Sequence, residues 1–206
     1  MTSTTERVQL ELAKLGRGRE RVAIVRLNRP EQLNPIDWDT VHELDARLDE
    51  VEADASVRCL LITGNGRAFS AGGDLKSYRK LQVDPVSFPQ FVSDLHRTFG
   101  RLRSLRVPVV ALVNGVTAAG GLELILNCDF TLVAASARIG DGHLNFGQMG
   151  GGGVLTLLPR VIGPTKRSNG VWPTASWPTM RCSTKVWPSR EASPRRARSR
   201  WPTRSG

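Results

Sequence analysis

Residues 1–165 read as an α/β fold, in layers of strands and helices, on three observations. Short apolar runs that stop at Gly- or Asn-containing turns alternate with longer stretches of helical period. Two of those runs, Cys59–Thr63 and Val109–Val113, share one layout: a strand, a glycine-containing turn, then a helix. The glycines in question are Gly72-Gly73 and Gly120-Gly121. Third, a single acid, Glu123, sits inside the apolar run Leu122–Leu126.

Val8–Ala13 alternates apolar and polar residues like an edge strand, and Val22–Leu27 reads as a second strand. The basic, Gly-containing stretch Gly16–Glu20 between them predicts a hairpin, and Asn28-Arg29-Pro30 ends the second strand. Asp39 is placed to cap a helix in which Val41, Leu44, Leu48 and Val51 fall at helical spacing. Cys59–Thr63 is a buried strand closed by Gly64-Asn65-Gly66, and the stretch Arg67–Lys76 leads through glycines into a short helix. After a break at Asp84–Gln90, Ser87 is a candidate N-cap with Pro89 in the first turn. Phe91, Val92, Leu95, Phe99 and Leu102 then carry an amphipathic helix towards Leu105. Val109–Val113 is the next strand, and a helix beginning at Gly120 aims its unpaired N–H groups at whatever precedes it. Phe130–Ala134 is a further short strand. Val154–Leu158, before Pro159, is one helical turn or two.

Charge separates the body from the tail. The 206 residues carry a net +10, yet ten of the 29 Lys and Arg, and only one of the 19 acids, fall from Lys166 onward. Residues 1–165 are left with +1, so no nucleic-acid partner is expected of the body. In the tail the order of strand and helix stops. Trp-Pro pairs recur at Trp172, Trp177, Trp187 and Trp201, amid Ser, Thr and Arg. Two readings of 166–206 stand open: a basic arm for nucleic acid, with Arg195–Arg200 at its centre, or an out-of-frame translation. Either way the expected division is a patterned core at 1–165 and an aberrant, disordered tail at 166–206. No apolar run reaches the roughly 18 residues of a membrane helix. The N-terminus has no basic-then-apolar signal pattern, and a cytoplasmic protein is expected. Cys59, Cys128 and Cys182 have neither disulfide-framework nor zinc spacing and read as reduced thiols.

The glycine loops do not bind nucleotides in either familiar way. Gly64-x-Gly66 follows a strand, but the third position of the dinucleotide fingerprint is Phe69. The Gly147–Gly153 cluster lacks the Gly-Lys-Ser/Thr of a phosphate loop. Two backbone N–H groups converging from two such turns would instead hold a carbonyl oxygen that gains negative charge. One carboxylate in so apolar a run costs free energy unless it is paired, hydrogen-bonded or in use, so Glu123 is the candidate catalytic acid or base. His42 and His96 lie on predicted helices and read as structural.

These residues resemble the crotonase (enoyl-CoA hydratase/isomerase) superfamily over roughly Val8 to Gly163. The resemblance rests on Asn28-Arg29-Pro30-Glu31-x-Leu33-Asn34 and on Arg67-Ala68-Phe69-Ser70-Ala71-Gly72-Gly73-Asp74-Leu75-Lys76. It continues through Pro108–Gly115, Ala119-Gly120-Gly121-x-Glu123-Leu124 and Cys128-Asp129 to Leu158-Pro159-Arg160-x-Ile162-Gly163. It implies a spiral of ββα units and a coenzyme A thioester substrate. It also implies an oxyanion hole made by the N–H groups of Gly73 and Gly120, with Ala71, Asp74, Leu75 and Lys76 helping to hold the acyl-CoA. Glu123 falls where hydratases carry one of two glutamates, and His143 stands where the second is expected. Hydration of a 2-enoyl-CoA thioester is the leading expectation, and Glu with His, rather than two glutamates, keeps isomerisation and hydrolysis open as alternatives. No metal or redox cofactor is implied, because coenzyme A is part of the substrate. Family members form trimers or hexamers and continue past the position of Gly163 with helices that complete the pocket. None is recognisable here, so an incomplete spiral, and an inactive remnant as one alternative, belong to the expectation.

Overall fold

The computed structural model describes residues 6–162. The tail assigned above to 166–206, with Cys182, lies outside the described residues. Within them one unit repeats four times: two strands, then helix. The first unit is β1 (Val8–Lys14), β2 (Arg21–Leu27) and α1 (Trp38–Ala53). The second is β3 (Val57–Gly64), β4 (Ala68–Ser70), α2 (Leu75–Leu81) and α3 (Ser87–Leu102). The third is β5 (Val109–Val113), β6 (Val116–Ala118) and α4 (Gly120–Leu126). The fourth is β7 (Phe130–Val133), β8 (Arg138–Gly140), a 3-10 turn at His143–Phe146 and α5 (Val154–Ile162).

The strands sort into two sheets. The larger has the order β1-β2-β3-β5-β7. The β1–β2 hairpin is antiparallel, with Val8 opposite Leu27, and every later pair is parallel. Its apolar runs bury Ala23, Val25, Leu60, Ile62, Val109 and Ala111 completely. The helical stripes fill the same core, with Val41, Leu44, Leu48 and Val51 from α1 and Phe91, Leu95, Phe99 and Leu102 from α3. Each fully buried aliphatic or aromatic side chain contributes about 1.5–3 kcal/mol, so this core is the main stabilising element.

The second sheet, β4-β6-β8, is small and all parallel. After β3 and after β5 the chain turns a corner and leaves the large sheet. Asparagine side chains sew those corners. Asn114 Nδ2 donates to Gly66 O at 2.9 Å, and its Oδ1 accepts from Gly64 N–H at 3.3 Å. Asn34 Nδ2 donates to Asn65 O and Ala68 O, both at 2.9 Å. Three-residue strands have too little length for any apolar period, which is why β4, β6 and β8 do not stand out in the sequence.

Three expected helix ends move. The N-cap of α1 is Asp37, not Asp39: its carboxylate accepts from Thr40 N–H at 2.9 Å and from Thr40 Oγ1 at 2.7 Å. Asp39 sits in the first turn and pairs with Arg7. Ser87 is the first residue of α3 rather than its cap, and its hydroxyl donates to Asp84. Helix α5 runs through Pro159 to Ile162, carrying the proline inside a nine-residue helix.

Candidate active site

Parallel strands of one sheet end at the same edge, and that register assembles the site. In the small sheet Ser70 pairs with Thr117, and Ala118 pairs with Gly140. The segments that leave β4, β6 and β8 therefore emerge side by side. They carry Gly72-Gly73, Ala119-Gly120 and Asp141–His143.

Gly72 has φ +100, and a Cβ there would lie 2.8 Å from Ala119 Cβ and 2.9 Å from Ala118 O, so only glycine lets the two turns meet. Ile36 pins the next residue on both sides. Ile36 N–H donates to Gly72 O at 2.8 Å, and Asp74 N–H donates to Ile36 O at 2.9 Å. The Gly73 N–H has no acceptor among the described residues. Gly120 opens α4, where a first-turn N–H has no helical acceptor. It is aimed by Ala119, held at φ 45 and ψ −115, whose own N–H donates to Gly140 O at 3.2 Å.

One turn into α4 lies Glu123, 2% exposed. Its Oε1 accepts from Gly152 N–H at 2.8 Å and from Val154 N–H at 3.1 Å. A Cβ on Gly152 would come within 3.0 Å of Glu123 Oε2, and one on Gly150 would strike the same carboxylate. The glycine run thus lets the backbone close over the acid. The other oxygen, Oε2, faces His143 Nε2 at 3.5 Å. On the far side of the ring, Nδ1 meets Asp141 Oδ1 at 2.5 Å. Burial works against a charge on His143. Its hydrogen bonds with Glu123 and Asp141, and their negative charge, outweigh that and hold the imidazole pKa above its ordinary 6.5.

Gly73, Gly120, Glu123 and His143 line one cavity of about 390 Å³, with Tyr78, Phe88 and Phe91 on its apolar wall. The Tyr78 and Phe91 rings lie 4.9 Å apart. Burial, then the nearby Glu123, Asp37 and Asp74 charges, push the Tyr78 phenol far above its usual pKa, so it stays protonated. A second cavity of about 430 Å³ shares Gln82, Gly147 and Gln148 with the first and is flanked by Leu75, Lys76 and Arg79.

The structure brings most of the expected residues together. Glu123, His143, Gly73 and Gly120 share the first cavity, and Leu75 and Lys76 border the second. Ala71 and Asp74 border neither. Ala71 N–H donates to Leu33 O, and Asp74 caps α2, accepting from Lys76 N–H at 3.1 Å and Ser77 N–H at 3.2 Å. Asp74 also pairs with Arg29, which pairs with the α1 cap Asp37. Those links, Tyr78 and Asp141 are what sequence reasoning missed. Asp141 had a signal, two residues before a candidate histidine. His42 is exposed on α1, and His96 on α3 has its Nδ1 3.1 Å from Gly151 O. Cys128 is buried, its thiol donating to Leu124 O at 3.4 Å, and Cys59 is half-buried. Among the described residues no group of three His, Cys, Asp or Glu is arranged to hold a metal ion. No helix there is long and apolar enough to cross a membrane.

Comparison with known proteins follows the same lines. The family model for enoyl-CoA hydratase/isomerase matches residues 17–177. The Bacillus subtilis protein YngF is 36% identical over 154 residues, which is 74% of this chain and 58% of that one. The short-chain-enoyl-CoA hydratase of Clostridium acetobutylicum is 33% identical over 144 residues, 69% of this chain and 54% of that protein. Among solved structures, an enoyl-CoA hydratase from Bacillus anthracis superposes with a TM-score of 0.71 at 31% identity, over 78% of this chain and 60% of that one. The chain spans a little over half the length of these curated relatives.

Proposed function

The chain belongs to the enoyl-CoA hydratase/isomerase family, and from that premise we propose that it adds water to a 2-enoyl-CoA thioester. The observation that carries the reading is the meeting of Gly73, Gly120, Glu123 and His143 around one cavity. The thioester carbonyl oxygen would accept from the Gly73 and Gly120 N–H groups. Both donors are preorganised and lie where the enolate-like charge grows, and losing one such donor costs about 2.7–4 kcal/mol of barrier.

Proton transfer falls to the two titratable groups. Water oxygen bonds to C3 of the enoyl group while one of its protons passes to Glu123. The electron pair leaving the double bond is drawn towards the held carbonyl oxygen, and His143 Nε2 gives its proton to C2. Glu123 then returns a proton to His143 across the 3.5 Å between them. Atoms and charge balance, and no oxidation state changes overall, so the reaction calls for no redox cofactor. Positioned acid–base groups contribute roughly 10²–10⁴-fold.

The same Glu–His pair also suits moving a double bond, by taking a proton from one carbon and returning it to another. Isomerisation is therefore the second reading. The basic side chains Lys76 and Arg79 beside the adjoining cavity fit the phosphates of a coenzyme A carrier. A homo-oligomer belongs to the proposal too, supported by exposed Leu144, Phe146 and Met149 beside the site.

Crotonyl-CoA and 3-butenoyl-CoA, given separately to the 206-residue chain, test this. Hydration predicts loss of the conjugated enoyl absorbance from the first substrate and formation of 3-hydroxybutyryl-CoA. Appearance of conjugation from the second alone establishes isomerisation instead. No change in either sinks both.

A further inference from the structure

His143 stands between two carboxylates: Asp141 Oδ1 at 2.5 Å from Nδ1, and Glu123 Oε2 at 3.5 Å from Nε2. A neutral imidazole has one donor nitrogen and one acceptor nitrogen, so either tautomer would turn a lone pair towards an acceptor oxygen. Only the imidazolium gives both carboxylates a donor. The arrangement is held in place. Asp141 follows β8, whose Gly140 is paired with Ala118, and the 3-10 turn at 143–146 fixes the backbone of the histidine. His143 N–H also points back to Asp141 Oδ1 at 3.4 Å. Among the described residues, the other titratable group on the cavity wall is Tyr78 from α2, which stays neutral.

We infer that Asp141 is a positioning residue: it keeps His143 as an imidazolium with its Nε2–H turned to Glu123, ready to protonate substrate carbon. The inference rests on the acid role given to His143 above. A protonated imidazole paired with a carboxylate is neutral as a unit. Beside the Glu123 carboxylate the cavity then carries one negative charge rather than two, and the developing enolate meets less repulsion. Asp141 itself neither gives nor takes a proton. It orients the ring and stabilises the ion, as carboxylates behind catalytic imidazoles do.

The test is a histidine ring titration by NMR on the full chain, wild type and Asp141→Asn, with His143→Gln to assign the signal. The wild-type His143 is expected to titrate above 6.5. In D141N it falls by at least one unit, about a tenfold change in acid constant, and the alkaline limb of the rate profile falls with it. Asp141→Glu, which keeps the carboxylate, restores most of the shift. An unmoved His143 titration in D141N overturns the inference, as does a fall of the same size in Asp141→Glu. A wild-type chain that turns over no enoyl thioester would sink the proposed function instead, while the titration still decides whether Asp141 controls the ring.

Discussion

The two sheets of this molecule divide its work. The five-stranded sheet is built from runs of four to eight residues and packs against α1 and α3. The three-stranded sheet has three residues per strand and few bonds of its own. Hydrophobic burial stabilises the first. Corner asparagines and connectivity hold the second in register, and its ends carry every group assigned to the chemistry. On the proposed chemistry, stability and function are separable by position along each unit: the first strand holds, the second delivers.

The largest effect should come from the small sheet's side of that division. Glu123→Gln is expected to lower kcat by roughly 10²–10⁴-fold. Its thermal midpoint should change little, because the amide oxygen still accepts from Gly152 N–H as Oε1 does. Stopped assays on the purified variant, with a melting curve beside them, check both halves. A variant with full rate would remove Glu123 from the mechanism.

The mirror experiment lies in the large sheet. Ile62 is fully buried in β3, and Ile62→Ala should cost about 2–5 kcal/mol of folding free energy. Chemical denaturation gives that number, and the rate per folded molecule should stay within about twofold of wild type. If the rate fell in proportion to stability, the two sheets would not be separable.

Asn114→Ala probes the junction between them. It removes the donor to the exposed Gly66 O and the acceptor for the buried Gly64 N–H, at about 1–3 kcal/mol for the buried N–H left unpaired. Because β4 and β6 then lose their shared corner, kcat should fall more than stability alone would give. The smallest effect belongs to Ala119→Gly. An alanine at φ 45 is strained, and glycine relieves that strain while adding freedom to the unfolded chain. The net is a gain of about 0.5–1 kcal/mol or less, with a modest loss of kcat as the Gly120 N–H becomes less firmly aimed.

How much was legible follows the same division. The apolar runs of β2, β3 and β5 and the stripes of α1 and α3 announced themselves, because burial on that scale needs long periodic patterns. Glu123 was visible as a charge where none belongs, and Gly120 as the start of a helix. The small sheet was not, since three residues show no period and its pairing is set by chain crossings far apart in sequence. The sequence places Asp39 as the cap of α1 and Asp37 serves instead; Asp37 is the one that Arg29 reaches, a contact made only in three dimensions. Asp141 likewise takes on meaning only through the ring it touches.

The central claim is that the ends of the small sheet polarise a thioester carbonyl, and one measurement addresses it without relying on turnover. Crotonyl-CoA labelled with ¹³C at its carbonyl is bound to the Glu123→Gln chain, and the isotope-edited infrared difference spectrum is recorded. Two converging N–H donors from Gly73 and Gly120 predict a carbonyl stretch shifted to lower frequency than in solution. A bound carbonyl at its solution frequency would contradict the account.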